Sequence, residues 1–166
     1  VPDTLTALQR TAVAWRDALA ATQVVGVTGN VGKSTTKLIT AAVLAARYRV
    51  QVNEANYNNE IGVPFTLFGL KSDHDIAVIE MGMNALNEIS FLAQLSLPSI
   101  ALITTIGRAH LEGLKTIENI AKAKGEIFEA LPKEGHAFFL SDLPYKQIAT
   151  LGLKAHRHEI DDQNWH

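Results

Sequence analysis

A chain of 166 residues with 47% hydrophobic residues has the length and apolar content of one packed domain. Its net charge of -2 and 19% charged residues supply no basic field for duplex nucleic acid or an anionic membrane surface, so neither is expected as a partner. There is no cysteine, which excludes a disulfide framework and a thiolate zinc site, and every apolar run is broken well short of the roughly 20 residues that span a bilayer.

Nor does the chain start with a basic segment followed by an apolar one. Together with the missing cysteine, this makes the cytoplasm the expected compartment and gives no expectation of membrane insertion. Val1 in place of Met suggests a piece of a longer protein. No internal repeat or low-complexity stretch divides it, so the elements are read from periodicity.

Leu5, Leu8, Ala12, Trp15 and Leu19 recur at helical spacing behind Asp3 and Thr4, two good cap residues. They predict a leading helix to about Ala20 within residues 1–22. Next come a predicted strand Gln23–Thr28, helix Lys33–Ala46, strand Val50–Asn53, helix near Val63–Leu70, strand Asp75–Glu80, helix Asn87–Leu95 and strand Ile100–Thr104. A helix Thr116–Leu131, a strand Ala137–Leu140 and a weaker helix near Pro144–Leu151 complete the pattern. The polar tail from Lys154 is compatible with a last edge strand or with fraying.

Short apolar strands alternating with helices predict an α/β fold, a mostly parallel sheet with helices on both faces. Ligands of such sheets bind beyond the carboxyl ends of the strands. The residues just after each strand are therefore the candidates for chemistry.

The first strand runs through Thr28, Gly29, Asn30, Val31, Gly32, Lys33, Ser34 and Thr35 into a helix, the context of a P-loop-type nucleotide-binding element. Glycines let backbone N–H groups turn toward an anion, the helix N-terminus adds its positive dipole end, and Lys33 brings a mobile charge for the outer phosphates. The Ser34 hydroxyl is placed to hold Mg²⁺. The strict pattern asks for glycine five residues before Gly32, where this chain has Val27. A plain glycine turn before a helix with an exposed lysine is one other reading. A dinucleotide fold is another, since Gly26, Gly29 and Gly32 are regularly spaced and Glu54 lies about where a ribose-binding acid belongs, but it leaves Lys33 and Ser34 without a role.

Glu80 closes a predicted strand beside this loop, where a carboxylate can complete a magnesium shell begun by Ser34. His110 and Glu112 follow another strand end, and His110 fits either a metal or phosphate contact or an ordinary loop position. Asn56, Asn58 and Asn59 follow the second strand and fit turns or ligand contacts equally well. On the helix Thr116–Leu131, Lys124 falls in line with the stripe Ile117, Ile120, Ile127 and Leu131, whereas Lys122 lies on the other side. A lysine facing inward must snorkel, pair, lose its charge or be modified.

Taken in order, the segments TGNVGKSTTK, NYNNEIGVP, AVIEMGMN, AHLEGL and AKAKGEIFEAL resemble the central ATP-binding domain of the Mur ligases. Within that family they are most similar to the branch that adds D-alanyl-D-alanine to UDP-N-acetylmuramoyl-tripeptide in peptidoglycan synthesis. The resemblance covers roughly Val24 to Leu131.

It implies ATP and Mg²⁺ as cofactors, with the loop from Thr28 to Thr35 and the asparagines Asn58 and Asn59 on the nucleotide. Lys33 would contact the phosphates, Ser34 and Glu80 would bind one Mg²⁺, and His110 would help bind a second. Lys124 matches a lysine that is commonly carbamylated in the family, which makes it a carboxylate for the second metal. Lys33, His110 and Lys124 are then the catalytic candidates. Thr105 departs from the family's asparagine before the Ile-Gly step, and nothing after Leu131 resembles its later His-Asn segment.

The expected organisation is one central domain over residues 1–166, without the domain for the UDP substrate or the C-terminal domain. The implied reaction of the full-length enzyme is ATP-dependent amide formation through an acyl phosphate, with UDP-N-acetylmuramoyl-tripeptide and D-alanyl-D-alanine as partners. Alternatives are another Mur-like amide ligase and a nucleotide-binding module without catalysis. A P-loop GTPase or kinase is disfavoured by the lack of an Asn-Lys-x-Asp guanine motif.

Overall fold

In the computed structural model, which describes residues 2–108 and 111–161, the apolar segments at the centre of the sheet are buried. All of β3 (Ile76–Glu80) is buried, and so is β1 (Gln23–Thr28) after its first residue. With β2 (Val50–Val52), β4 (Ile100–Ile103), β5 (His136–Leu140) and β6 (His156–Ile160) they form a sheet in the order β2-β3-β1-β4-β5-β6. Every neighbouring pair is parallel. The expected mostly parallel sheet is thus wholly parallel among the described residues, and the polar tail supplies its edge strand.

The strand order decides where the helices go. From β1 the chain steps outward to β2, returns to β3, and then crosses β1 to reach β4, β5 and β6. Because parallel crossovers are right-handed, the outward step places α2 (Lys33–Ala45) on one face. The later steps run the other way and place α3 (Gly62–Phe68), α4 (Glu88–Ser96), α6 (Ile117–Glu129) and the short α7 (Lys146–Ala149) on the opposite face, where α1 (Thr4–Ala18) packs on α3 and α4.

Two hydrophobic clusters result. The larger joins Ile79, Leu92, Ile127, Phe128 and Phe139, with the Phe128 and Phe139 rings 5.7 Å apart. The smaller lies under α2, where Val25, Val27, Ile76 and Val78 meet Ala41 and Leu44. Burying each such side chain fully contributes about 1.5–3 kcal/mol.

Element ends follow local chemistry. The Asp3 carboxylate caps α1 by accepting from Leu5 N at 3.0 Å, and Thr116 caps α6 by accepting from Asn119 N at 3.2 Å. β2 stops at Val52, one residue before the expected end, because the side chain of Asn53 takes over the pairing. Its Oδ1 accepts from Glu80 N at 3.0 Å and its Nδ2 donates to Glu80 O at 2.9 Å. The helix expected over Pro144–Leu151 is reduced to α7 after Tyr145, which has a left-handed φ of 57°. The short α5 (Leu111–Leu114) has no periodic pattern and was not expected.

Candidate functional site

The strand ends of β1, β2, β3 and β4 converge with the N-terminus of α2. Gly29 and Gly32 have φ of 149° and 84°, values that side-chain-bearing residues rarely adopt. A Cβ on Gly29 would also lie 1.9 Å from Thr104 Oγ1, so the loop and the β4 end can approach this closely only with glycine there.

The loop is tied to the segment after β4. Asn30 N donates to Thr105 O and Val31 N to Thr105 Oγ1, each at 3.0 Å. Thr104 Oγ1 donates to Val31 O at 2.6 Å, and Gly107 N donates to Asn30 Oδ1 at 3.1 Å. Two of the loop N–H groups are therefore engaged within the chain. Thr105, which departs from the family's asparagine, supplies this anchoring through its hydroxyl and carbonyl. Val31 itself is 72% exposed, and Thr28 is buried with its hydroxyl donating to Met81 O at 2.9 Å.

What remains open at this loop is donor-rich. The amide Nδ2 of Asn30 is buried without a hydrogen-bond partner. Gly32, the N-cap of α2, offers no side-chain cap to the first turn. Lys33 Nζ has one long contact, to Asn30 O at 3.4 Å. Thr35 is exposed on the same turn. Unsatisfied donors and a lysine at a helix N-terminus suit an anion.

Beside them Glu80 is 2% exposed and its carboxylate is shared out. Oε2 accepts from Ser34 Oγ at 2.8 Å and Oε1 from Asn58 Nδ2 at 2.8 Å. Lys37 Nζ lies 3.5 Å from Oε2. Asn59 serves differently, its Oδ1 accepting from Gly62 N at 2.9 Å at the start of α3.

Lys33, Asn58, Asn59, Gly82, Phe91 and Lys124 all line one cavity of about 650 Å³. Lys124 is 2% exposed, whereas Lys122 on the same helix is exposed. Burial, and then the charge of Lys33, lower the Lys124 pKa to about 7. A side chain with that pKa is neutral in a large fraction of molecules near neutral pH. The start of α4, which carries the lining residues Asn87 and Phe91, is held by Glu126, whose carboxylate accepts from Asn87 N at 2.7 Å and Ser90 N at 3.0 Å and so caps α4 from α6. Burial raises the Glu126 pKa.

The structure thus gathers Lys33, Ser34, Glu80, Asn58 and Lys124. His110 lies outside the described residues. Sequence reasoning missed Lys37 and the bridging role of Asn53. Lys37 did carry a signal, since it stands four residues after Lys33 on a helix and so shares its face.

Ser34 Oγ and Glu80 Oε2 are 2.8 Å apart, close to the roughly 2.9 Å edge that follows from octahedral oxygens 2.0–2.1 Å from Mg²⁺. Among the described residues no group of three or more His, Asp or Glu side chains could hold a metal ion. A cation here would need phosphate oxygens and water to complete its shell, which is the usual habit of Mg²⁺. The donor set therefore fits Mg²⁺ brought with a nucleotide.

The model of the Mur ligase middle domain matches residues 27–163, well past the Leu131 limit of the sequence resemblance. The UDP-N-acetylmuramoyl-tripeptide--D-alanyl-D-alanine ligase of Bacillus subtilis (strain 168) is 46% identical over 149 residues, covering 90% of this chain and 32% of that protein. Among solved structures, MurF from Acinetobacter baumannii matches with a TM-score of 0.90 at 30% identity, covering 97% of this chain and 35% of its own. The MurF ligase of Thermotoga maritima in complex with ADP matches with a TM-score of 0.84 at 28% identity, covering 97% and 37%. The chain spans about a third of the length of the relatives it matches. The family match takes in every strand end that builds the site, and the chain belongs to the Mur ligase family as a middle domain.

Proposed function

We propose that this chain is the ATP-binding domain of a cytoplasmic, ATP-dependent ligase that adds D-alanyl-D-alanine to UDP-N-acetylmuramoyl-tripeptide through an acyl phosphate. On this reading residues 1–166 form one domain, with 1–22 as its leading helix, and the domains that hold the UDP substrate and complete the reaction lie outside it. No helix of the described residues is long and apolar enough to cross a membrane.

The observation that carries the reading is the cavity lined by Lys33, Asn58 and the buried Lys124, with the Ser34–Glu80 pair joined to it through the hydrogen bond from Asn58 to Glu80. Lys33, the unpartnered Asn30 amide and the uncapped first turn of α2 hold the phosphates, with the rest of the loop from Thr28 to Thr35 shaping the cradle. Ser34 and Glu80 hold one Mg²⁺, which when bound supplies charge neutralisation at the phosphates. Glu80 is kept in place by Asn58. The lowered pKa of Lys124 favours the neutral amine, the form that can add carbon dioxide with release of a proton, and the resulting carbamate with His110 would hold a second metal ion. Phosphoryl transfer of this kind depends on positioning and charge stabilisation, and needs no protein nucleophile.

Calorimetric titration with ATP and GTP, each with and without Mg²⁺, tests the nucleotide reading. Binding of ATP that requires Mg²⁺ for full affinity is expected. A preference for GTP would return the site to the GTPase reading. Because the chain spans about a third of its relatives, the isolated chain is expected to bind nucleotide without forming the amide.

A further inference from the structure

Lys37 is a second buried lysine beside the site, and the phosphate-binding motif gives it no task. It stands one turn after Lys33 on α2 and is 2% exposed. Its Nζ donates to Asn53 O at 2.9 Å and to Ala55 O at 3.1 Å, and lies 3.5 Å from Glu80 Oε2. Two of the three ammonium donors are thus taken by backbone carbonyls, and the Glu80 carboxylate stands at ion-pair distance. Glu80 is engaged at both oxygens: Ser34 donates to one and Asn58 to the other, and Lys37 supplies the opposing charge.

The charges around this carboxylate are uneven. Lys33 and Lys124 line the neighbouring cavity, and Lys37 lies 3.5 Å from Glu80 Oε2. Of the carboxylates that line the cavity, Glu88 accepts from Asn84 N at 2.6 Å, and Glu60 is exposed. A buried carboxylate already paired with Lys37, next to a cavity that Lys33 lines, favours a polyanion over a bare cation.

We propose that Lys37 is the resident counter-ion of Glu80 and makes metal entry conditional on nucleotide. Without nucleotide, Lys37 neutralises Glu80 and repels a divalent cation. The phosphates bring the negative charge that outweighs it, so metal and nucleotide load together. This inference rests on the nucleotide reading and adds an order to it. Lys37 touches no substrate and acts through Glu80 as a positioning residue.

The test uses the full-length protein that carries this chain, titrated with Mn²⁺ alone and followed by the paramagnetic resonance signal of free Mn²⁺. ATP with Mg²⁺ is titrated in parallel. The unchanged protein is expected to bind ATP with Mg²⁺ and to bind Mn²⁺ alone weakly. Lys37→Met should tighten binding of Mn²⁺ alone by roughly tenfold or more, as expected when a like charge within a few ångströms is removed from a partly buried site. Lys37→Gln, neutral but still able to donate to the Asn53 and Ala55 carbonyls, should reproduce the gain, which separates charge from tethering. Adding Glu80→Gln to either variant should abolish it.

Unchanged or weaker Mn²⁺ binding in both single variants overturns the inference and leaves Lys37 as a tether of the loop after β2. Loss of folding in both does the same, as does tight binding of Mn²⁺ alone by the unchanged protein. If ATP with Mg²⁺ fails to bind the unchanged protein, the nucleotide reading falls, and the inference with it.

Discussion

The hydroxyl of Ser34 and the carboxylate of Glu80 are joined at 2.8 Å although they stand 46 residues apart in the chain. The parallel pairing of β1 with β3, which sets Val27 opposite Glu80, brings them together. Ser34→Ala removes one oxygen of that pair and leaves Lys33 and the loop in place. It is expected to raise the Mg²⁺ concentration needed for half-maximal ATP binding while leaving metal-free ATP binding little changed. Equal loss with and without Mg²⁺ would show that Ser34 serves the loop rather than the metal.

Lys33→Ala removes a charge that the protein itself barely engages, its contact with Asn30 O being 3.4 Å long. Loss of charge-assisted hydrogen bonds to phosphate costs about 1.5–3 kcal/mol, one to two decades in affinity. ATP affinity by calorimetry should fall by that amount with no loss of thermal stability. Undiminished affinity would mean that the phosphates lie elsewhere.

Asn53→Ala acts on the fold. It leaves the backbone N–H and C=O of Glu80, both now paired with the Asn53 side chain, without partners in the interior. An unsatisfied buried group costs about 1–3 kcal/mol, and a loss of at least that size is expected in urea unfolding. A change below about 0.5 kcal/mol, the usual range for surface substitutions, would mean that water replaces the amide.

Lys124 gives a pH signature. It loses its proton near pH 7 when folded and near 10.4 when unfolded. Below pH 7 both forms are protonated and the burial penalty is fully present. Between the two values the unfolded chain binds more protons, so stability rises with pH. Lys124→Met abolishes this titration. In bicarbonate-free buffer its stability advantage over the unchanged protein should be largest near pH 6 and shrink toward pH 10, by up to about 1.4 kcal/mol per pH unit. A difference that does not vary with pH would show that Lys124 is not held in its neutral form.

What could be read from the sequence was local. The glycine loop and the apolar strands announce themselves within a few residues, and the stripe of Ile117, Ile120, Ile127 and Leu131 already placed Lys124 inward. The spacing of Lys37 from Lys33 showed its helix face but not its partners, and Asn53 was not legible, because these contacts are fixed by sheet register: Asn53 meets Glu80 across 27 residues. Asn58 and Asn59 are adjacent and chemically alike, yet one faces Glu80 and the other caps α3. Only the path of the loop separates them.

On the proposed function, this site drives amide formation in the full-length protein. The most direct measurement is phosphate release from ATP by that protein, with UDP-N-acetylmuramoyl-tripeptide and D-alanyl-D-alanine supplied together or singly, and with Lys33→Ala as the comparison. Stoichiometric phosphate release and amide product are expected when both substrates and Mg²⁺ are present, with loss of both in Lys33→Ala. Amide formation that survives Lys33→Ala, or phosphate release indifferent to the two substrates, would contradict it.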